Sequence, residues 1–239
     1  MERKQLIFSM IVFSMIACVM TIPVGWAAEE SERTYDGLTR VDGSEADVKY
    51  VLPEADFAAY SSVIVLEPLV AFRKNWQRDI NRASTSVARR VSDADMEQIK
   101  SGMAELFLEV FTEQLEGGGF SVVEEPGEDV MILRPAILNL DVAAPDVASA
   151  GRTRTYVAQA GSASLLIELY DSVTGQILAR AVDSRRARSS PTFQWATAVW
   201  NRAEARRVLN AWAGMLVENL NDVRERAESA ELAEADDRE

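Results

Sequence analysis

The sequence predicts an α+β fold: a two-layer sandwich of a mainly antiparallel sheet of about five strands with two amphipathic helices on one face. Short apolar, β-branched runs predict the strands, and two longer segments with apolar residues at steps of three and four predict the helices. Residues 171–175, with glycine last, join two extended runs and predict an antiparallel hairpin. Helices grouped over one face of such a sheet make the two-layer arrangement.

Residues 1–27 have the pattern of a secretory signal peptide. Basic residues precede an apolar run, and small residues follow at Gly25 and Ala27. We expect cleavage after Ala27. Two alternatives stay open: acylation of Cys18, as in a lipoprotein, or retention of the apolar run as an anchor, since it approaches the ~20 residues that span a bilayer.

The composition excludes several kinds of chemistry. The chain has 239 residues, a net charge of −13, one cysteine and no histidine. Without histidine it cannot carry a Ser–His–Asp triad, a Cys–His pair or a histidine zinc site. The negative charge argues against nucleic acid as a partner, because phosphate binding relies on cations. We therefore expect no enzyme activity, no cofactor and no metal.

The organisation predicted after the signal is a flexible leader over 28–50, one α+β domain over 51–226 and an acidic tail over 227–239. Residues 61–66 are a β-branched run ended by a proline, which predicts a buried strand. Residues 72–91 are basic without a sustained apolar period, which predicts a long connection with room for a helical turn.

The first helix has clear start and stop signals. Ser92 and Asp95 have the spacing of a capping box, and an apolar stripe follows from Met96 to Leu115. The glycines at 117–119 end the helix, because glycine adopts the left-handed C′ conformation at little steric cost.

Four extended segments and a final helix complete the prediction. The strands are 120–123, 130–140, 153–170 and 176–184, and Pro135 in the second implies an edge or a bulge. The last helix carries an apolar stripe. Its members are Ala205, Leu209, Trp212, Leu216, Leu220 and Val223.

Arginine and aromatic residues suggest a partner-binding surface, because both give large contact areas and arginine binds carboxylates through two hydrogen bonds. The candidates are Arg152, Arg154, Arg185, Arg186, Arg188, Phe193 and Trp195. The alternative is internal: the arginines pair with the protein's own carboxylates and the tryptophan belongs to the core. The acids around the turn at 124–129 could serve glycan hydrolysis, but they are typical of a solvated turn and match no calcium loop.

Several motifs resemble a bacterial family named domain of unknown function 3313. They are the segment 50–57 with Tyr60 and the strand after it, residues 152–156, the stretch 161–175, and the pair Trp212-Ala213. The resemblance covers roughly residues 35–225. It implies an exported or lipoprotein-type envelope protein with no assigned activity, and it provides no functional residues.

The sequence therefore predicts a non-enzymatic envelope domain in the periplasm that binds another envelope protein or a cell-wall component. An outer-membrane lipoprotein is the alternative location, and membrane contact requires lipidated Cys18 or a retained signal. Two other functions stay open: a carboxylate-dependent glycan hydrolase, and a small-molecule or lipid carrier with a cavity between sheet and helices.

Overall fold

The computed structural model describes residues 33–53, 55–84, 90–142, 156–157, 161–186, 194–195 and 198–236. The strands are β1 Thr39–Arg40, β2 Val48–Val51, β3 Ser62–Val65, β4 Leu69–Phe72, β5 Ser121–Val122, β6 Val130–Val142, β7 Tyr156–Val157, β8 Gly161–Asp171, β9 Ile177–Arg186 and β10 Gln194–Trp195. The helices are α1 Trp76–Ala83, α2 Asp93–Gly117 and α3 Ala198–Asp236, with a 3-10 turn at Phe57–Ala59.

The predicted α+β class is confirmed, but its details are wrong. Eight strands form one mixed sheet in the order β1-β2-β9-β8-β6-β3-β5, with β4 also beside β6. Strands β7 and β10 pair separately. The described residues thus contain more than the predicted five strands and one helix more than the predicted two.

Short strands explain the missed elements. The predicted flexible leader is wrong over its second half, because β1 and β2 form a hairpin and β2 pairs antiparallel with β9. The predicted connection after residue 72 contains α1. Strands of two to four residues are too short to show an alternating pattern, so neighbouring strands rather than local sequence decide them.

The parallel half of the sheet follows from the chain's path. Strand β3 runs parallel to β5 and β6, and β4 runs parallel to β6. Parallel neighbours need a long crossover connection, which α1 and α2 supply between β4 and β5. The β8–β9 hairpin was predicted correctly, and Gly175 has the expected positive φ of 69°.

Strand β6 is central rather than an edge, and its pairing is irregular in places. Val65 pairs with Leu133 and Leu69 with Ala136, so three residues oppose two where β3 gives way to β4. A second register shift separates Leu138 from Asp141. The predicted edge position is wrong, and the register shifts lie away from Pro135, which pairs regularly with Ile167 and lies opposite the break between β3 and β4.

Gly161 is required where β8 begins beside the second irregularity. Its φ is +146°, and a Cβ there would lie 1.9 Å from the backbone oxygen of Asp141. A side chain cannot fit in that space, and L-residues rarely adopt this φ. Glycine thus lets β8 approach the end of β6.

Helix α2 has the termini that its sequence predicts. The Ser92 side chain accepts from the Asp95 amide at 3.2 Å, and the Asp95 carboxylate accepts from the Ser92 amide at 2.8 Å. At the other end Gly119 has a φ of +86°, and the Phe120 amide donates to the Leu115 carbonyl at 3.0 Å. This is a Schellman ending.

The main core lies between the sheet and helices α2 and α3. Phe107 and Phe111 of α2 stack with centroids 3.9 Å apart, and both are fully buried. The sheet contributes alternate apolar residues, and α3 contributes Leu209, Trp212 and Ala213.

Helix α3 continues to Asp236, through the predicted acidic tail. Within the described helices, no segment is long and apolar enough to cross a membrane.

Candidate functional site

A half-open cavity of about 460 Å³ lies between α3 and the sheet. Its floor is the helix-facing side of β8, β9 and β2, and its wall is the middle of α3. The apolar residues that line it include Val51, Phe57, Leu165, Ile167, Leu169, Ala179, Ala181, Met215, Leu216, Leu220 and Val223. Most of its surface is hydrocarbon.

Small side chains on β9 create this space. In the sheet register Ala179 pairs with Leu169 and Ala181 with Ile167, so both alanines face the helix layer. Larger residues at these positions would fill the gap beneath α3. Both alanines remain half-exposed despite facing the helices, because they adjoin the cavity.

A polar cluster closes one side of the cavity. Asp183, 8% exposed, accepts hydrogen bonds from the Trp212 indole N–H and the Arg185 Nε, both at 2.7 Å. Its other oxygen accepts from the Asp47 amide at 3.2 Å. These three donors meet the hydrogen-bonding needs that burial imposes on this carboxylate. They also fix Trp212 against the cavity.

Lys49 of β2 is the cavity's second polar feature. It pairs with Ala181 across the β2–β9 ladder, so its side chain points to the helix layer. Its Nζ donates to the Asn219 Oδ1 of α3 at 2.5 Å. Burial lowers the pKa of Lys49, because desolvation disfavours the charged form.

The opposite face of the sheet carries a network of ion pairs whose role is structural. Arg180 contacts Glu168 at 2.8 Å and Asp36 at 2.7 Å. Burial alone would lower the pKa of Arg180, but these two carboxylates raise it above its ordinary value. The network ties the N-terminal hairpin region to β8 and β9.

A second cavity of about 560 Å³ lies between the first turns of α2 and α3 and the ends of β6 and β8. Charged residues line much of it, among them Asp95, Glu105, Arg185 and Arg202. Its lining includes Val142 and Gly161, which flank residues that the structure does not describe. We assign no function to it.

The predicted partner-binding residues have different positions in the structure. Arg185 pairs with Asp183, as the internal alternative expected, whereas Arg186 is exposed. Trp195 belongs to β10, which pairs with β7. The other four candidates lie outside the described residues: Arg152, Arg154, Arg188 and Phe193. The predicted cleavage site Ala27 and the candidate lipidation site Cys18 also lie outside them.

The acidic turn between β5 and β6 carries no visible site. Its residues Glu124, Glu125, Glu128 and Asp129 are exposed. Asp129 accepts hydrogen bonds from Ser61 and Ser62, which join the turn to β3. Across the described ranges, no group of three or more acidic or cysteine side chains is placed to hold a metal ion.

Sequence reasoning missed the cavity residues for identifiable reasons. Lys49 fell within the predicted leader, and Ala179 and Ala181 were read as ordinary strand residues. The available signal was the alternation of Ala179, Ala181 and Asp183 in one strand, two small side chains and a charge where a buried face normally carries large apolar residues.

The described residues fold into an α+β protein with an apolar cavity beneath helix α3. The chain belongs to the family described as "Protein of unknown function (DUF3313)", whose model matches residues 28–216. This confirms the resemblance seen in the sequence motifs. A comparison with curated proteins gives no match.

Several solved structures are distantly similar. A PelC dodecamer from Paraburkholderia phytofirmans is 11% identical, with a TM-score of 0.34 over 68% of this chain and 90% of that chain. A DUF330 protein from Xanthomonas campestris is 14% identical, with a TM-score of 0.40 over 71% and 89%. A DUF4136 protein from Bacteroides thetaiotaomicron is 10% identical, with a TM-score of 0.30 over 77% and 97%. None of these likenesses bears on function.

Proposed function

We propose that this chain is a non-enzymatic binding protein of the cell envelope that holds an apolar ligand in the cavity beneath α3. The observation that carries the proposal is the cavity itself, about 460 Å³ with mostly hydrocarbon walls. Small-molecule sites are typically concave, apolar spaces of roughly 300–1,000 Å³ with few polar groups. The carrier function is therefore the one that the geometry supports best.

The walls provide a driving force without any reactive group. Burying apolar surface contributes roughly 25 cal/mol per Å², or about 0.8 kcal/mol per methylene. Ile167 and Leu169 of β8 and Leu216 of α3 present such surface to a ligand. Asp183 is occupied by three donors, which favours a structural role over acid catalysis.

A chain-length series tests the proposal. The purified protein should bind straight-chain carboxylates of eight to twelve carbons below their micelle concentrations, with affinity rising about fourfold per methylene. Isothermal titration calorimetry measures this directly. Trp212 lines the cavity, so its fluorescence should change on binding.

A blocking variant and its control locate the binding. Ala181→Phe fills the floor of the cavity and should weaken binding at least tenfold. Val182→Phe adds a ring at the next residue, whose side chain points to the opposite face of the sheet, and should leave binding unchanged. Equal effects of the two variants, or no chain-length dependence, would contradict the proposal.

The envelope location is the second part of the proposal, and the signal pattern of residues 1–27 supports it. We expect the protein in the periplasmic fraction, with an intact mass that starts at Ala28. A mass that includes a diacylglycerol on Cys18 would instead make it a lipoprotein. Recovery of the uncleaved chain from the cytosol would contradict export.

A further inference from the structure

Four charged residues line the cavity, and three of them are accounted for. They are Glu45, Lys49, Arg180 and Asp183. Arg180 borders the cavity, but its side chain pairs with Glu168 and Asp36 on the opposite face of the sheet, and Asp183 pairs with Arg185. Glu45 is exposed to solvent. Lys49 is the remaining charge, and it is half-buried.

Lys49 lacks a charged partner within the described part of the chain. Its one hydrogen bond goes to a neutral amide oxygen, that of Asn219, and no carboxylate lies within salt-bridge distance. Asp222 and Arg226 are near enough to act on it from α3, but they pair with each other at 3.7 Å. The ammonium therefore retains two unused N–H donors beside apolar walls.

Keeping an unpaired cation in such a place is unfavourable. Desolvation of a charged group costs free energy unless an opposite charge or hydrogen bonds replace the lost water. In a chain of net charge −13, acids are plentiful, yet none of the described side chains occupies the space that Lys49 faces. A ligand with a negative charge would supply the missing partner.

We propose that the cavity selects single-chain anionic amphiphiles, whose carboxylate or phosphate head pairs with Lys49 while the hydrocarbon tail lies along β8 and α3. This inference rests on the proposed function and names the ligand class. Asn219 orients the ammonium toward the cavity through its amide oxygen. The apolar residues that continue along α3 toward Val223 accept the tail.

Matched head groups on one tail test the selection. The probes are dodecanoate, 1-dodecanol and dodecyltrimethylammonium, titrated into the protein expressed from its full sequence. The two ionic probes stay below their micelle concentrations and the alcohol stays below its solubility limit. Wild type should bind dodecanoate about 10- to 100-fold more tightly than dodecanol, the range expected for a charge-assisted hydrogen bond. The cationic probe should bind more weakly than the alcohol. Dodecyl phosphate, titrated alongside, shows whether a phosphate head is accepted like the carboxylate.

Two variants separate the head group from the cavity. Lys49→Met should lose the preference for dodecanoate over dodecanol, keep its affinity for dodecanol, and melt no lower than wild type because it removes a desolvated charge. Lys74→Gln removes the same charge from an exposed position and should keep the full preference. This control accounts for the change in net charge.

The outcomes distinguish the two proposals. Binding of none of the probes overturns the carrier function, and this inference with it. Equal binding of dodecanoate and dodecanol by wild type overturns the head-group assignment alone. Retention of the preference for the anion by Lys49→Met would likewise overturn the head-group assignment alone.

Discussion

Asp171 organises the turn between β8 and β9 and ties it to the residue before β3. It accepts hydrogen bonds from the amides of Val173 and Thr174 at 3.1 and 2.6 Å, and from the Tyr60 hydroxyl at 2.9 Å. Bonds from Thr174 hold the pKa of Asp171 below its usual value. Burial, together with the Asp171 carboxylate, raises the pKa of Tyr60 to about 12.

The shifted pKa of Tyr60 predicts a loss of stability in alkali. A raised phenol pKa means that the folded state holds its proton more tightly, so the stabilisation is complete below pH ~10 and is lost as pH rises toward about 12. Tyr60→Phe should lower the free energy of unfolding by about 1.5 kcal/mol at pH 8 and flatten that decline. Urea unfolding from pH 8 to 11 measures both effects.

Tyr35→Phe is the control. Since Tyr35 is 97% exposed, this substitution should change neither the free energy of unfolding at pH 8 nor its decline in alkali. An alkaline decline that is as steep in Tyr60→Phe as in wild type would contradict the assignment. The Asp171 contribution has the opposite sign. It is present above the ordinary aspartate pKa and disappears as pH falls through the lowered one.

Local sequence determined the residue contacts that lie within a few positions of one another. The Asp171–Gly175 turn and the Ser92–Asp95 capping box were both predicted, because each depends on side chains that bond to the nearby backbone. The Lys49–Asn219 and Asp183–Trp212 pairs could not be predicted. Their partners lie on different elements, and only packing brings them together.

Helix α2 is the element whose boundaries follow most directly from its sequence. Its capping box predicts that Ser92→Ala destabilises the protein by about 1 kcal/mol, because the Asp95 amide loses its acceptor. Chemical unfolding at neutral pH measures the change. The control is Ser101→Ala, an exposed mid-helix serine whose hydroxyl bonds the Glu97 carbonyl.

Ser101→Ala should be neutral or slightly stabilising, since alanine has the higher helix propensity and loses no cap. Equal destabilisation by the two substitutions would show that the capping box contributes nothing specific.

Arginines on α3 also contact α2: Arg202 and Arg206 pair with Glu109. These exposed pairs are each worth about 0–1 kcal/mol, so they align the helices more than they stabilise them.

The sequence predicted the three long strands and also two short ones, β3 and β5. Strands β6 and β9 were found with boundaries within two residues of the prediction, whereas β8 begins at Gly161 rather than at residue 153. Strands β1 and β2 were read as a flexible leader, because two and four residues carry no readable period. Their position in the sheet depends on β9, whose edge away from β8 pairs with β2.

At the scale of the whole molecule, two parts of the described sheet differ in how the helices pack over them. On the β6 side, α2 closes the core with large side chains such as Phe107 and Phe111. On the β2 and β9 side, the alanines at 179 and 181 leave space beneath α3. The α+β class was predictable from element order. The cavity between sheet and helices was one open alternative, and the sequence could not decide it because it depends on how closely α3 approaches a strand of short side chains.

The predicted arginine surface and the observed cavity lead to different experiments. Arg185 now has a structural explanation in its contact with Asp183, while Arg186 is exposed. The cavity therefore provides the more direct test of function.

The most direct measurement is an isotope-filtered NOE spectrum of the protein with bound ¹³C-labelled dodecanoate. We predict contacts from the ligand methylenes to the methyl groups of Ala181 and Leu216, and proximity of the carboxylate to Lys49. Contacts confined to other surfaces, or a ligand that shows no contact with the residues under α3, would contradict the account.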